Sequence, residues 1–183
     1  MIFLAMPADG GDGASVFDEA RWTAMVAAHA PFLRRAIGRL SGFGDHVDDV
    51  VQEAFVAAFR RARDLPDDEL LLRSWLFRAA KHQLLHHQRS FARRARKHDA
   101  LSSAAPTSTS QPTEQNEAVR LVRTATLALP DDLRDAFVLV ELEGLSVVDV
   151  ATILTINENT LRSRLKKARA QFAASITALE VPR

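Results

Sequence analysis

Apolar residues along this chain recur three and four positions apart, and runs that alternate apolar with polar residues are few. That pattern predicts helices throughout and an all-α fold. Phe17, Trp22, Met25 and Val26 outline a first helix. Pro31 suits the opening turn of a second, where its missing N–H would have no partner anyway. Phe32, Leu33, Ile37 and Leu40 form that helix's stripe, and Gly42 ends it. Asp45 can cap a third, with Val47, Val51, Phe55, Ala58 and Phe59 on its apolar side, and "DLPDD" breaks it. A fourth is expected from Glu69 to Arg96. Beyond it the pattern predicts a helix from Glu114 to Ala128, one from Pro130 to Gly144, and a short pair within Ser146 to Phe172.

The periodicity fails in "LSSAAPTSTSQPTEQ", Leu101 to Gln115, which is small, polar and proline-containing and reads as a linker. The expected organisation is a flexible tail over 1–15, a helical domain over 16–98 and a linker over 99–114. A second helical domain follows over 115–178, then a short tail over 179–183. With 183 residues and 47% hydrophobic content, there is enough apolar surface for two small cores. Cysteine is absent, which removes disulfides and thiolate metal sites. "MIFLAMPADG" lacks a basic start and is soon interrupted by Pro7 and Asp9, so it does not read as a signal peptide, and Met6 is a second candidate start. No apolar run approaches the roughly 18–20 residues of a membrane span. A cytoplasmic chain without membrane insertion is expected.

A net charge of +1 argues neither for nor against nucleic acid, but the distribution of charge does. From Asp131 to Asp149 there are six carboxylates and one Arg, whereas Leu161 to Arg169 carries five cations and no carboxylate. In "SVVDVATILTINENTLRSRLKKARAQF", Ser146 and Asp149 approximate a capping box, and Val147, Val150, Ala151 and Leu154 face inward. Asn157 can cap the next helix, whose Leu161, Leu165, Ala168 and Phe172 dock back. This is a helix-turn-helix pattern, with Glu158, Asn159, Arg162, Ser163, Lys166, Lys167 and Arg169 outward. Two readings fit: a groove reader, or a helix whose Lys and Arg near the C-terminus are favoured by the dipole.

A second basic helix, "RSWLFRAAKHQLLHHQRSFARRARKH", has eight Lys/Arg and no carboxylate from Arg73 to His98. Such a helix repels itself unless something anionic lies on it, and a phosphate backbone is the simplest candidate. Trp75, Phe77 and Phe91 interleave with the charges and suit either a core or stacking on unpaired bases. "HQLLH", His82 to His86, superficially matches a zinc-protease pattern. Gln83 cannot act as its general base and no third ligand is evident, so no metal is expected. The preceding amphipathic helix presents Asp48, Asp49, Gln52, Glu53, Val56 and Arg60 opposite its apolar stripe, a face suited to a cationic protein helix or simply to water.

Taken together and in this order, these pieces resemble the extracytoplasmic-function (ECF) sigma factors, the compact class of alternative sigma subunits of bacterial RNA polymerase. "DDVVQEAFVAAFRR" is similar to that family's region 2.2, and "RSWLFRAAKHQLLHHQRSFARR" to regions 2.3 and 2.4. "LPDDLRDAFVLVELEGLSVVDVATILTINENTLRSRLKKARAQF" is similar to region 4. The resemblance implies a protein that binds core RNA polymerase and promoter DNA and initiates transcription, with no catalytic residue and no cofactor. It implies that Asp48, Asp49, Gln52 and Glu53 meet the clamp coiled coil of the largest subunit, and that the polymerase flap is also contacted. It places Lys81, His82, His86, Arg89, Arg93 and Arg94 on the −10 element, with an extruded base held nearby or in the loop from Leu65 to Leu72. Asn157, Glu158, Asn159, Thr160, Arg162, Ser163 and Lys166 would read the −35 element. An anti-sigma factor is an implied partner. The family often has Asn where His82 stands and Asp where His86 stands. A stand-alone helix-turn-helix regulator would leave the acidic face and the first basic helix unexplained, and a mimic that titrates an anti-sigma factor would not need the basic residues of both domains.

Overall fold

Seven α-helices, and no strand, build the described part of the chain, which is residues 19–42, 44, 46–99 and 114–180 of a computed structural model. They are α1 (Glu19–Ser41), α2 (Val47–Arg60), α3 (Glu69–Asp99), α4 (Glu114–Leu127), α5 (Asp131–Phe137), α6 (Val147–Leu154) and α7 (Glu158–Glu180). A 3₁₀ turn at Ala62–Asp64 follows α2, and a π-helical turn at Val138–Leu142 continues α5. The expected tail 1–15 and the greater part of the expected linker lie outside the described residues, as does Asp45.

The two helices expected on either side of Pro31 are one, because Pro31 lies inside α1. Proline's fixed φ is helical, so the cost is one lost backbone bond and a clash with the preceding turn, together about 3 kcal/mol in a helix interior. Burial of His29, Ala30, Phe32, Leu33, Ala36, Ile37 and Leu40 around it offsets that cost. α1, α2 and α3 share a core in which Leu33, Ile37, Val50, Leu76 and Phe77 are essentially inaccessible. Phe77 lies against Phe32 with ring centroids 6.4 Å apart, so it belongs to the core, and Trp75 is half-buried against it.

The second group is built on capping. Arg134 donates to Leu127 O at 2.8 Å and Leu129 O at 2.6 Å, satisfying carbonyls at and just beyond the end of α4. Ser146 Oγ accepts from Asp149 N at 3.1 Å, and Asn157 Oδ1 accepts from Thr160 N at 2.7 Å, so both expected caps form. Thr155 ends α6 in the left-handed region (φ 56°). The helix expected to run to Gly144 instead widens into the π turn, where Glu143 N donates to Val138 O at 2.9 Å. Gly144 (φ 71°) then turns the chain into α6.

Described apolar residues of both groups form one continuous cluster, from Leu33 and Phe77 through Val138 and Ile153 to Leu161. A smaller cluster around Leu129, Leu133, Phe137 and Ala168 packs α4 and α5 on α7, with Phe137 and Phe172 stacked at 4.6 Å. Gly42 (φ 80°) brings α1 against α4, since a β-carbon there would come within 2.8 Å of Leu127 Cδ1.

Candidate functional site: two basic helices and an acidic face

The second helix of the helix-turn-helix, α7, packs by one side on α4, α5 and α6. Leu161, Leu165 and Ala168 are buried and fix one side of α7 against its neighbours. At 3.6 residues per turn, the side farthest from that seam carries Asn159, Ser163, Lys166 and Lys167, all exposed. Asn159, Thr160, Ser163 and Lys167 line one shallow concavity with Asn157 and Arg164. Glu158 and Arg162 lie to one flank and pair with each other at 3.2 Å. Asn157, expected as a reader, has its carbonyl oxygen committed to the cap. Lys167 was not singled out as a reader in the sequence, although its spacing from Asn159 and Ser163 carries the signal.

The basic and acidic segments around α7 are less separate than the sequence suggests. Asp132 pairs with Arg164 at 3.4 Å, and Glu141 with Arg169 at 2.6 Å. Two of the five cations therefore brace the fold, and the field of α7 rests more on Lys166 and Lys167.

On α3 the basic residues divide between two surfaces. His82, His86 and Arg89 are exposed at i, i+4 and i+7, one stripe of the helix. The helix continues through Arg93 and Arg94, whose side chains lie outside the described ones. Lys81 lies about a quarter-turn from that stripe and pairs with Asp135 of α5. Arg78 donates to Thr155 Oγ1 at 3.1 Å, and Arg73 pairs with Glu69 at 3.0 Å. The start of α3 is thus engaged by the chain itself. No group of three or more His, Cys, Asp or Glu that could hold a metal occurs among the described residues. Instead, the His at this level make a local stack, with His46 and His87 rings 6.5 Å apart.

The acidic face of α2 forms a groove with α3. Asp49, Gln52 and Glu53 line it together with Val56, Arg60, Gln83 and His87. His87 Nε2 sits 3.2 Å from both carboxylate oxygens of Glu53. Asp48 is exposed but turned toward α1, where Arg34 donates to it at 2.7 Å. The structure therefore brings three of the four expected acidic-face residues into one groove and gives the fourth an internal partner. The part played by Gln83 and His87 has no sequence-local signal.

Buried ionisable groups lie elsewhere. Burial pushes the Asp135 carboxyl above its usual range, with the Lys81 ammonium pulling the other way. His29 is held below the usual imidazole value by burial first and by Arg73 second. Glu143, at the end of the π turn, has only 2% of its side chain exposed and lies 3.1 Å from Arg35 and 3.2 Å from Arg39.

Comparison with known proteins adds the following. The Sigma-70 region 2 family matches residues 25–95, and the Sigma-70 region 4 family matches residues 119–172. The chain is 33% identical over 156 residues to the ECF RNA polymerase sigma factor EcfG of Rhodopseudomonas palustris, covering 81% of each. It is 30% identical over 176 residues to the ECF RNA polymerase sigma factor SigL of Mycobacterium tuberculosis, covering 93% of this chain and 97% of that one. Its fold is similar to that of the sigma factor RpoE of Bartonella quintana, solved with the anti-sigma factor NepR. The TM-score is 0.64 at 23% identity, over 89% of this chain and 99% of that one. It is also similar to CnrH, solved with the cytosolic domain of CnrY, with a TM-score of 0.63 at 26% identity, over 88% and 90%.

Proposed function

This chain belongs to the ECF RNA polymerase sigma factors, and we propose that it is an alternative sigma factor. In this reading it binds core RNA polymerase, recognises promoters at −10 and −35, and assists melting. The observation that carries the reading is the pairing, in one chain, of an exposed recognition-helix stripe on α7 with an acidic groove on α2. The stripe suits an anionic duplex; the groove suits a cationic helix.

Asp49, Gln52 and Glu53 dock the clamp coiled coil, with Asp48 at the margin of that surface. Asn159, Thr160 and Ser163 reach base edges in the major groove, while Lys166 and Lys167 hold flanking phosphates. Asn157, Glu158 and Arg162 support that helix end through the cap and the ion pair. His82, His86 and Arg89, with Lys81, Arg93 and Arg94 on the same helix, engage the −10 element. Unpairing costs a few kcal/mol per extruded base, and polymerase contacts and base capture offset it. The chain makes and breaks no bond. It works in the cytoplasm, with region 2 over 16–98, region 4 over 115–178 and a linker between. The solved relatives held by anti-sigma partners support control of this chain by such a factor.

The test is reconstitution with sigma-free bacterial core polymerase on fragments of the source genome. Discrete starts that depend on the added protein are expected. Asp49→Arg, a charge reversal in the groove, is expected to weaken holoenzyme assembly. Normal assembly by that variant would overturn the docking assignment, and specific DNA binding without core would point to a stand-alone regulator.

A further inference from the structure

We propose that His87 of α3 is a positioning residue of the acidic groove: it holds the Glu53 carboxylate in place, and a proton on its ring cancels charge that the groove offers a cationic partner. The proposal deepens the polymerase-docking reading and rests on it.

The pair is built from two helices. On α2, Asp49, Glu53, Val56 and Arg60 follow one another at spacings of three and four, so they share one side of the helix. Glu53 has 47% of its side chain exposed, and a carboxylate so placed loses rotamer freedom only where something grips it. His87 stands across from it on α3, with Nε2 3.2 Å from each carboxylate oxygen. A lone pair on that nitrogen would face two anionic oxygens, so the proton belongs on Nε2 whether the ring is neutral or cationic. One N–H shared by both oxygens sets the plane of the carboxylate as well as its place. Gln83, one turn earlier on α3, lines the same groove.

The ring is held in turn. His46, at the entry to α2, stacks on it with centroids 6.5 Å apart and planes 20° from parallel. Gly44 leaves room for that ring, since a β-carbon there would come within 2.6 Å of His46 Cε1. His46 Nε2 is buried with no hydrogen bond among the described residues, so packing rather than that nitrogen places it. Ser90 Oγ donates to the backbone carbonyl of His87 at 2.9 Å. A loop glycine, a stacked imidazole and a second imidazole thus lead, contact by contact, to a carboxylate on the docking face.

The charge in the groove is small enough for one proton to matter. Asp49 and Glu53 outnumber Arg60 in its lining by one. An imidazole takes up its proton between about pH 5 and 8. On His87 that proton removes the excess, and a cationic helix then meets a groove without net charge. The other groups nearby are directed elsewhere. His86 meets the His87 ring edge-on at 6.5 Å and belongs to the exposed stripe of α3. α1 sends Arg34 to Asp48. α5 and α6 meet α3 nearer its start, at Lys81, Arg78 and Ser74.

The test is assembly of the whole chain with sigma-free core polymerase, read as affinity at pH 8 and at pH 6. His87→Ala is expected to weaken assembly at pH 8 by about two- to fivefold, the range for a partly exposed, screened pair. His87→Gln keeps an N–H donor and should recover part of that loss. Wild type is expected to lose about two- to fivefold more than His87→Gln between pH 8 and pH 6, and this comparison cancels titration of the polymerase itself. His87→Lys carries its cation at both pH values and should bind more weakly than His87→Gln at each. In a Glu53→Gln background, His87→Ala should add little at pH 8, because the residue acts through that carboxylate. Helicity by circular dichroism confirms that each variant folds. Equal pH dependence in wild type and His87→Gln overturns the proposal, as does a full His87→Ala effect without the Glu53 carboxylate. A weakened Asp49→Arg beside silent His87 variants faults the proposal alone. Failure of wild type to bind core, or normal assembly of Asp49→Arg, faults the docking reading and the proposal with it.

Discussion

The two basic helices, α3 and α7, differ in what the chain does with their charge. On α7 the reading stripe is left open, and the cations nearest the body, Arg164 and Arg169, are tied to Asp132 and Glu141. On α3 the cations of the first half of the helix are met by the chain itself: Arg78, though exposed, donates to Thr155 and the half-buried Lys81 pairs with Asp135, while an exposed stripe begins at His82. The difference teaches that a basic helix without acids in its own sequence need not be free, since its counter-charges can come from residues far along the chain.

The largest expected effect would test whether the two halves share stability at all. Leu161→Ala in α7 and Leu33→Ala in α1 each empty a fully buried site, at a cost of about 2–5 kcal/mol. Because the apolar cluster is continuous across both halves, each variant is expected to lower one shared thermal transition. Two transitions, each moved by a single variant, would mean that the halves unfold independently.

Next comes the division of labour on the open helix. Ser163→Ala is expected to relax sequence preference at one −35 position, at about 1–3 kcal/mol if its hydroxyl meets a base. Lys167→Ala should weaken binding to all sequences alike and reduce the salt slope by about 1. Holoenzyme affinities across single-base promoter variants and salt concentrations separate the two. Arg162→Ala, on the flank and paired with Glu158, is expected to behave as the weaker case; a loss of discrimination as large as that of Ser163→Ala would place it on a base instead.

Asn157→Ala removes the cap of α7 and is expected to cost about 0.5–2 kcal/mol, read as a lower melting temperature. Asn157→Asp, which keeps an accepting oxygen, should recover most of it. Retained stability but lost −35 binding in Asn157→Ala would show that Asn157 reads DNA as well as capping.

Much of this was legible in the sequence because it depends on near neighbours. Helical spacing located the helical segments, though it split α1 in two, and "S-V-V-D" and "N-E-N-T" announced caps whose donors and acceptors lie three residues apart. Pro31 misled because proline's backbone angle is compatible with a helix, and whether the helix continues is settled by tertiary burial around it. The π turn has no local mark either; its signal is Gly144 and the need to aim Glu143 at α1. Least legible were the pairs that join the halves, since Lys81 and Asp135 are 54 positions apart and Arg35 and Glu143 are 108 apart. No periodicity in one segment reports on another so distant, so the charge of α3 looked unopposed. The acidic groove was half legible: α2 supplied Asp49, Gln52 and Glu53, whereas His87 and Gln83 come from another helix.

The smallest expected effect concerns the two buried acids at the junction, which need not act alike. Glu143 lies between two arginines, whereas Asp135 has Lys81, and its carboxyl is pushed up because burial outweighs that partner. A group whose folded value is raised contributes stability that is fully present below its unfolded value. That contribution is lost as pH rises through the folded value. For Asp135 the window opens at the ordinary value of 3.8 and extends upward. Above it the wild-type chain holds a charged carboxylate where a neutral one is preferred. Asp135→Asn is therefore expected to be as stable as wild type, or about 1 kcal/mol more so, at neutral pH. The advantage should shrink as pH falls toward 4. Lys81 can turn to water when its partner loses charge, since 27% of its side chain is already exposed. Melting temperatures of both proteins between pH 4 and 7 give the comparison. A variant clearly less stable at pH 7 would mean that the Lys81 pair outweighs the cost of burial, so that Asp135 holds the halves together in the way Glu143 does.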